Sequence, residues 1–285
     1  MGGADAALQS WTTSVLLNGV RQYRRTIVGE PWLEKKLHFN NTFKLTGGWQ
    51  AGASVLVESF AFDPVLYQDY ALLGPPGAGG PGPTILPFTG TPFIHNDDYV
   101  VTLETPQFAR FSGSIFYLRG HDENFFEWSP ASIVFATYAA DWRPNDKLRL
   151  NAQYQLQSYD RRSDGSTVGV RKIPRVKAEY QVSRPIFVRF IGEYDARRQD
   201  TLRDDSRTEL PILIRDPATG LYAPSLAFEN NRFRVDALFS YQPTPGTVVF
   251  AGYSSILSEP EGLQFGKLRR TNDGFFLKIS YLFRL

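Results

Sequence analysis

Cysteine is absent from this 285-residue chain, and Met1 is its one methionine. Disulfides and thiolate-bound metals are therefore excluded. Histidine is almost as scarce, at His38, His95 and His121. No GxSxG, HExxH or P-loop pattern occurs, so the common nucleophile, zinc and nucleotide signatures are missing. No apolar run approaches the ~20 residues of a membrane-spanning helix, which leaves membrane proteins built from strands untouched. A formal net charge of +2 lacks the basic excess of a nucleic-acid binder. No cofactor, no resident metal and no nucleic-acid partner is expected. The start, Met1-Gly-Gly-Ala-Asp-Ala-Ala7, has neither the basic nor the apolar segment of a signal peptide. It reads as a mature form with an added Met, or as the C-terminal part of a longer chain.

What the chain has in abundance is period-two alternation. Side chains alternate across a strand, so alternating apolar and polar residues make one apolar and one polar face. Leu148, Leu150, Ala152, Tyr154 and Leu156 share one parity, and Arg149, Asn151, Gln153, Gln155 and Gln157 the other. The same split puts Val176, Ala178 and Tyr180 against Arg175, Lys177 and Glu179, and Val188, Phe190 and Tyr194 against Arg189, Glu193 and Asp195. Phe233, Val235 and Phe239 oppose Arg232, Arg234 and Asp236. At the end, Phe275, Leu277, Ile279, Tyr281, Phe283 and Leu285 oppose a mixed face with Lys278, Ser280 and Arg284. An apolar strand of this kind is an aggregation hazard in water and a natural wall element in lipid.

About twelve strands are expected, near 9–24, 33–46, 49–62, 97–104, 108–120, 124–142, 147–160, 168–182, 186–198, 231–242, 247–258 and 273–285. Short turns (Gly47-Gly48, Thr105–Gln107, Arg143–Asp146, Ser183–Pro185, Pro243–Gly246) alternate with mostly long connections at 25–32, 63–96, 161–167, 199–230 and 259–272; 121–123 is the brief exception. The fold class expected is all-β: a transmembrane antiparallel outer-membrane β-barrel with short periplasmic turns and long external loops. Trp11, Trp49, Trp142, Tyr241 and Phe283 sit at the short-turn end, as an aromatic girdle would. The stretch 74–83, rich in Gly and Pro, reads as a flexible external loop rather than a linker, so 1–285 is taken as one domain.

Two segments carry a family resemblance. The end, Arg269-Arg-Thr-Asn-Asp-Gly-Phe-Phe-Leu-Lys-Ile-Ser-Tyr-Leu-Phe-Arg-Leu285, and Pro245-Gly-Thr-Val-Val-Phe-Ala-Gly-Tyr253 resemble the last strands of a large, poorly characterised bacterial outer-membrane protein family. Its members carry an N-terminal module resembling a family-9 carbohydrate-binding domain before a C-terminal barrel. The specific likeness covers roughly the last 45 residues; that module is absent here, and Leu285 stands where many barrels end in Phe or Trp. The resemblance implies location in the bacterial outer membrane, lipid as surroundings, and the barrel assembly machinery as partner through the C-terminal strand.

The lumen-facing charges are the candidate site: Arg149, Arg171, Arg175, Lys177, Glu179, Arg189, Glu193, Asp195, Arg232, Arg234, Asp236 and Lys278. They either pair across the wall and fill it or line a selective aqueous path. The expected role is a porin-like pore or receptor for a small hydrophilic, by charge anionic, solute. Two alternatives stand beside it: a non-conducting anchor for a missing N-terminal module, and a barrel hydrolase acting on lipid or sugar. The hydrolase would need His38 or His121 beside a nucleophile or carboxylate. His38, with Asn40 and Thr42 on its face, is the nearest approach. The acidic groups at His95, Asp97 and Asp98, and at Asp200, Asp204, Asp205 and Glu209, read as solvated loops rather than cation sites.

Overall fold

The computed structural model describes residues 7–21, 32–77 and 82–282. The twelve expected strands are all present, as β1 (Leu8–Arg21), β2 (Trp32–Leu45), β3 (Gln50–Phe60), β6 (Ile94–Glu104), β7 (Phe111–Asn124), β8 (Ser129–Trp142), β9 (Leu148–Arg161), β10 (Thr167–Ser183), β11 (Ile186–Gln199), β14 (Phe228–Thr244), β15 (Thr247–Glu259) and β16 (Arg269–Tyr281). They form one antiparallel sheet in chain order, each strand beside its predecessor. Strand lengths run from 11 to 17 residues, well past the five or six usual in globular sheets.

Four further strands were not expected: β4 (Tyr70–Pro76), β5 (Pro83–Pro87), β12 (Ile212–Arg215) and β13 (Tyr222–Pro224). They build a second sheet in the order β13-β12-β4-β5, so the described parts of the connections 63–96 and 199–230 carry strands; residues 78–81 of the Gly/Pro-rich stretch 74–83 lie outside the described residues. Prolines hid them, because proline cannot donate to a ladder and argues against a strand assignment. Here Pro83 and Pro87 sit on β5, an edge strand, the place in a sheet where proline is tolerated. The turn expected at 121–123 also moves: β7 runs on to Asn124, and the reversal is at 125–128.

Register reveals two unlike faces. Val15, Phe39, Val55 and Tyr99 stand abreast on β1, β2, β3 and β6. Leu103, Ile115, Tyr138, Tyr154 and Pro174 do so from β6 to β10. Val188, Phe239, Ala251 and Leu277 complete the band on β11, β14, β15 and β16. The opposite face carries Ser14, Asn40 and Ser54, then Arg149, Glu179 and Arg189, then Arg175, Glu193 and Arg234. Gly252 belongs to that face, and a Cβ there would collide with the Phe276 ring from β16.

The best-packed core lies at the long-connection end, outside the middle of the large sheet. Phe62, Tyr67, Leu72, Phe88, Ile94, Trp128, Val168, Leu202 and Ile212 are buried together, with Phe60 and Tyr159 packed against them. Phe60, Ile94 and Tyr159 have the polar-face parity of β3, β6 and β9, so the small sheet folds over that side of the large one. Trp128 adopts φ 52°, a left-handed conformation costly for a bulky residue. Edge-to-face contacts with Phe62 at 5.7 Å and Phe125 at 5.8 Å hold it there.

The edges of the large sheet are β1 and β16, and among the described residues no ladder joins them. Both are exposed along nearly their whole length. The closing pair that a barrel requires is therefore not among the ladders of this structure.

Candidate functional site

All twelve charged residues singled out by parity lie on the polar face of β9, β10, β11, β14 and β16. Alternation makes this nearly obligatory once the strands form. Several are paired: Arg171 with Asp195 at 2.7 Å, Lys177 with Glu179 at 3.3 Å and Arg175 with Glu193 at 3.5 Å. Arg234 meets Asp236 at 2.9 Å, and Arg149 meets Asp141 at 2.8 Å. Arg189, Arg232 and Lys278 have no carboxylate partner among the described residues. The ladder from β10 to β11 skips Ile173 and Pro174, where proline removes a donor. The bidentate Arg171–Asp195 contact joins the two strands beside that gap.

The register adds a half that parity reading of the sequence missed. Glu34, Glu58, Asp98, Glu104, Asp122 and Asp141 occupy the polar face of β2, β3, β6, β7 and β8. Lys36 and Lys44 are the cations of that half. The polar face is thus acidic over β2–β8 and basic over β9–β16. Glu34, Glu58 and Asp98 lay within the expected strands 33–46, 49–62 and 97–104, Asp98 being grouped there with an acidic cluster, but Asp122 fell in the segment 121–123 read as a turn.

Under the small sheet this acidic half becomes crowded. His38 Nε2 lies 2.6 Å from Glu58 Oε1, and Lys36 lies 3.3 Å from Glu58. The Asn96 amide donates to Asp122 at 3.1 Å and Glu123 at 2.8 Å. Asp98 tucks into the space that Gly120 leaves by lacking a Cβ. His38 therefore has a carboxylate beside it, but among the described residues neither Asn40 nor Thr42 is hydrogen-bonded to its ring.

Two expectations about acidic loops are corrected. His95, Asp97 and Asp98 are strand residues of β6, and alternation sends Asp97 and Asp98 to opposite faces. Asp204 and Asp205 are 1% and 0% exposed, held by Arg207, Thr208, Arg203 and Ser163. Arginine neutralises them, so they are not solvated. Among the described residues no group of three His, Asp or Glu side chains is arranged to hold a metal ion.

Of the aromatic set, Trp11, Trp142 and Tyr241 are on the apolar face near the short turns, and Trp49 follows the turn 46–48. Trp11 stacks on Phe43 at 5.9 Å and donates to Asn41 at 3.0 Å. Phe283 lies outside the described residues.

Beyond the strands, carboxylates fasten the long connections. Asp164 is held well below the ordinary carboxylate range by the Ser166 hydroxyl and N–H and then by Arg203. Burial pushes Asp200 up, but the hydrogen bond and charge of Arg161 outweigh it and the net direction is down. Carboxylates depressed in the fold stabilise it above their unfolded value and lose that contribution as pH falls through the folded value. The near-UV circular dichroism of the Trp128 cluster should therefore hold steady down to about pH 5 and decay below about pH 4. Loss on the alkaline side instead would show that other groups fasten this region.

No family model matches the chain, and no curated protein or solved structure matches it either.

Proposed function

We propose that the chain is the wall of an outer-membrane β-barrel that admits or receives a small hydrophilic solute carrying an anionic group. The observation that carries this reading is the division of a twelve-stranded sheet into one face with an apolar band across its middle and one charged face. Such a sheet suits lipid on one side and water on the other. In hydrocarbon the free N–H and C=O groups of β1 and β16 would be untenable, so insertion requires the edges to be paired and the barrel closed. The polar face then lines a lumen with an acidic wall facing a basic one, and the small sheet stands over its long-loop mouth. A solute's anionic group meets unpaired Arg189, Arg232 and Lys278, and its hydroxyls or cationic groups meet the acidic wall.

A filled anchor is the second reading, favoured by the ion pairs and by the covering sheet. Planar-bilayer recording under a salt gradient separates the two. An open pore gives a reversal potential of anion preference, and replacing Arg171, Arg175 and Arg232 with Gln moves it towards cations. Cation preference in the wild type would overturn the electrostatic argument, and absence of conductance would favour the anchor.

A further inference from the structure

On the apolar face, towards the long-connection end, Asp97, His121 and Ser132 are direct cross-strand neighbours on β6, β7 and β8. Asp97 Oδ1 and His121 Nδ1 lie 2.7 Å apart. With Nδ1 engaged by Asp97, His121 Nε2 has no hydrogen-bond partner among the described residues, and Ser132 is its neighbour on the other side. Directly opposed side chains have Cβ atoms roughly 4.5–5.5 Å apart, a gap that a small ring or rotamer adjustment closes to a hydrogen bond. No bond joins Ser132 to His121 in this structure, and such contacts commonly tighten only with substrate. The sequence reading asked for His38 or His121 beside a carboxylate or nucleophile. His121 has the carboxylate in contact and the serine in register.

An isolated Asp–His pair on a protein surface is ordinarily just an ion pair. Two further features of the same face distinguish this one. Arg119 precedes His121 by two residues, stands opposite Val134 and so lies diagonal to Ser132. It has no hydrogen bond or ion pair among the described residues, and it is free to meet a carbonyl oxygen or a phosphate. Towards the short-turn end the same strands frame an apolar cavity of about 500 Å³, lined by Phe111, Ile115, Tyr138, Tyr154 and Val176. Ile115 is six residues from His121 on β7, about 20 Å along a strand, a distance that a long acyl chain spans.

We infer that Asp97, His121 and Ser132 form a serine-esterase site on the outer face, taking acyl esters whose chain lies along the apolar band. Ser132 Oγ adds to the ester carbonyl carbon while its proton passes to His121 Nε2. The acyl C–O bond then breaks, and the leaving alkoxide takes that proton. Water adds to the acyl-serine, giving a proton to Nε2, and the fatty acid leaves as Oγ recovers it; the net change is ester plus water to acid plus alcohol. Asp97 is a positioning residue that fixes the ring tautomer. A lipid as the natural ester rests on the membrane reading above; the serine chemistry does not.

The test uses the folded full chain in detergent micelles with a fluorophosphonate probe and p-nitrophenyl butyrate, and measures vesicle insertion separately. The probe should attach at Ser132, located by peptide mass spectrometry, and the ester should be hydrolysed. Ser132→Ala should abolish both, and His121→Ala should slow labelling at least ~100-fold. Asp97→Asn should lower hydrolysis on the order of 10⁴-fold, as loss of the orienting carboxylate does elsewhere, while Ser158→Ala leaves it unchanged. Far-UV spectra identical to wild type separate loss of chemistry from loss of fold. A folded wild type that does not label at Ser132, or labelling that survives His121→Ala, overturns the site. Insertion without labelling rejects the esterase and keeps the membrane reading; labelling without insertion does the reverse.

Discussion

Replacing Arg161 with Met is expected to destabilise the capped end of the protein by roughly 3–5 kcal/mol, the cost of orphaning one member of a buried pair. Arg161 and Glu127 are 2% and 0% exposed. The guanidinium reaches Glu127 Oε1 at 2.6 Å and Asp200 at 2.7 Å, and it donates to the Thr201 carbonyl at 2.8 Å. It thus ties the 125–128 reversal to the start of the 199–230 connection. Without it, Glu127 keeps the Arg203 N–H at 2.9 Å and the Asn124 amide at 3.1 Å, two donors for a carboxylate with no countercharge. Adding Glu127→Gln should return much of the loss, because the stranded charge is the larger part of the penalty. The measurement is the urea midpoint of the near-UV signal of the Trp128 cluster. A loss below ~1 kcal/mol in the single variant would mean that water reaches the pair and that the connections are held by other contacts.

That pair was invisible in the sequence, and the reason is instructive. Glu127 follows Phe125 and Phe126 in a reversal, and Arg161 lies thirty-four residues away; no periodic pattern links them. The strands, by contrast, were legible because period two is a local property: Leu148–Tyr154 against Arg149–Gln155 needs no knowledge of the rest of the chain. Face assignment followed with it, which is why the charges from Arg149 to Lys278 share one side. The acidic half was lost where a boundary was misplaced. Reading 121–123 as a turn removed Asp122 from the polar face, and Asp98, at the start of the strand expected at 97–104, was grouped with His95 and Asp97 as an acidic cluster instead of being placed by its parity. The small sheet was lost for a different reason. Three- to seven-residue strands broken by Pro75, Pro76, Pro83 and Pro87 carry too little alternation to register, and their stability comes from distant aromatics such as Phe62 and Trp128. Closure of the large sheet, which the proposed barrel requires and which is not among the ladders of this structure, would be equally non-local, since it depends on β1 meeting β16 across the whole chain.

The environment of the apolar face can be decided by placing one cation on each side of the same region. Val176 is near the middle of β10, between Ala152 and Gly192 on the apolar face. Gln155 is near the middle of β9, between Thr137 and Ile173 on the polar face. Val176 is 50% exposed in the isolated chain, so an arginine there has room, and in water it would cost little. Against hydrocarbon near the bilayer midplane the same arginine costs about 2–4 kcal/mol, because no water or counterion compensates the buried charge. Val176→Arg should therefore lower the stability of folding into lipid vesicles by that amount. On the proposed reading Gln155→Arg should change it by less than ~1 kcal/mol, because the polar face would meet water. Equilibrium urea titration in vesicles of fixed composition reads both values. A large cost at Gln155 with none at Val176 would reverse the faces. Small costs at both would mean water on each side of the sheet, and the membrane reading would fall with them.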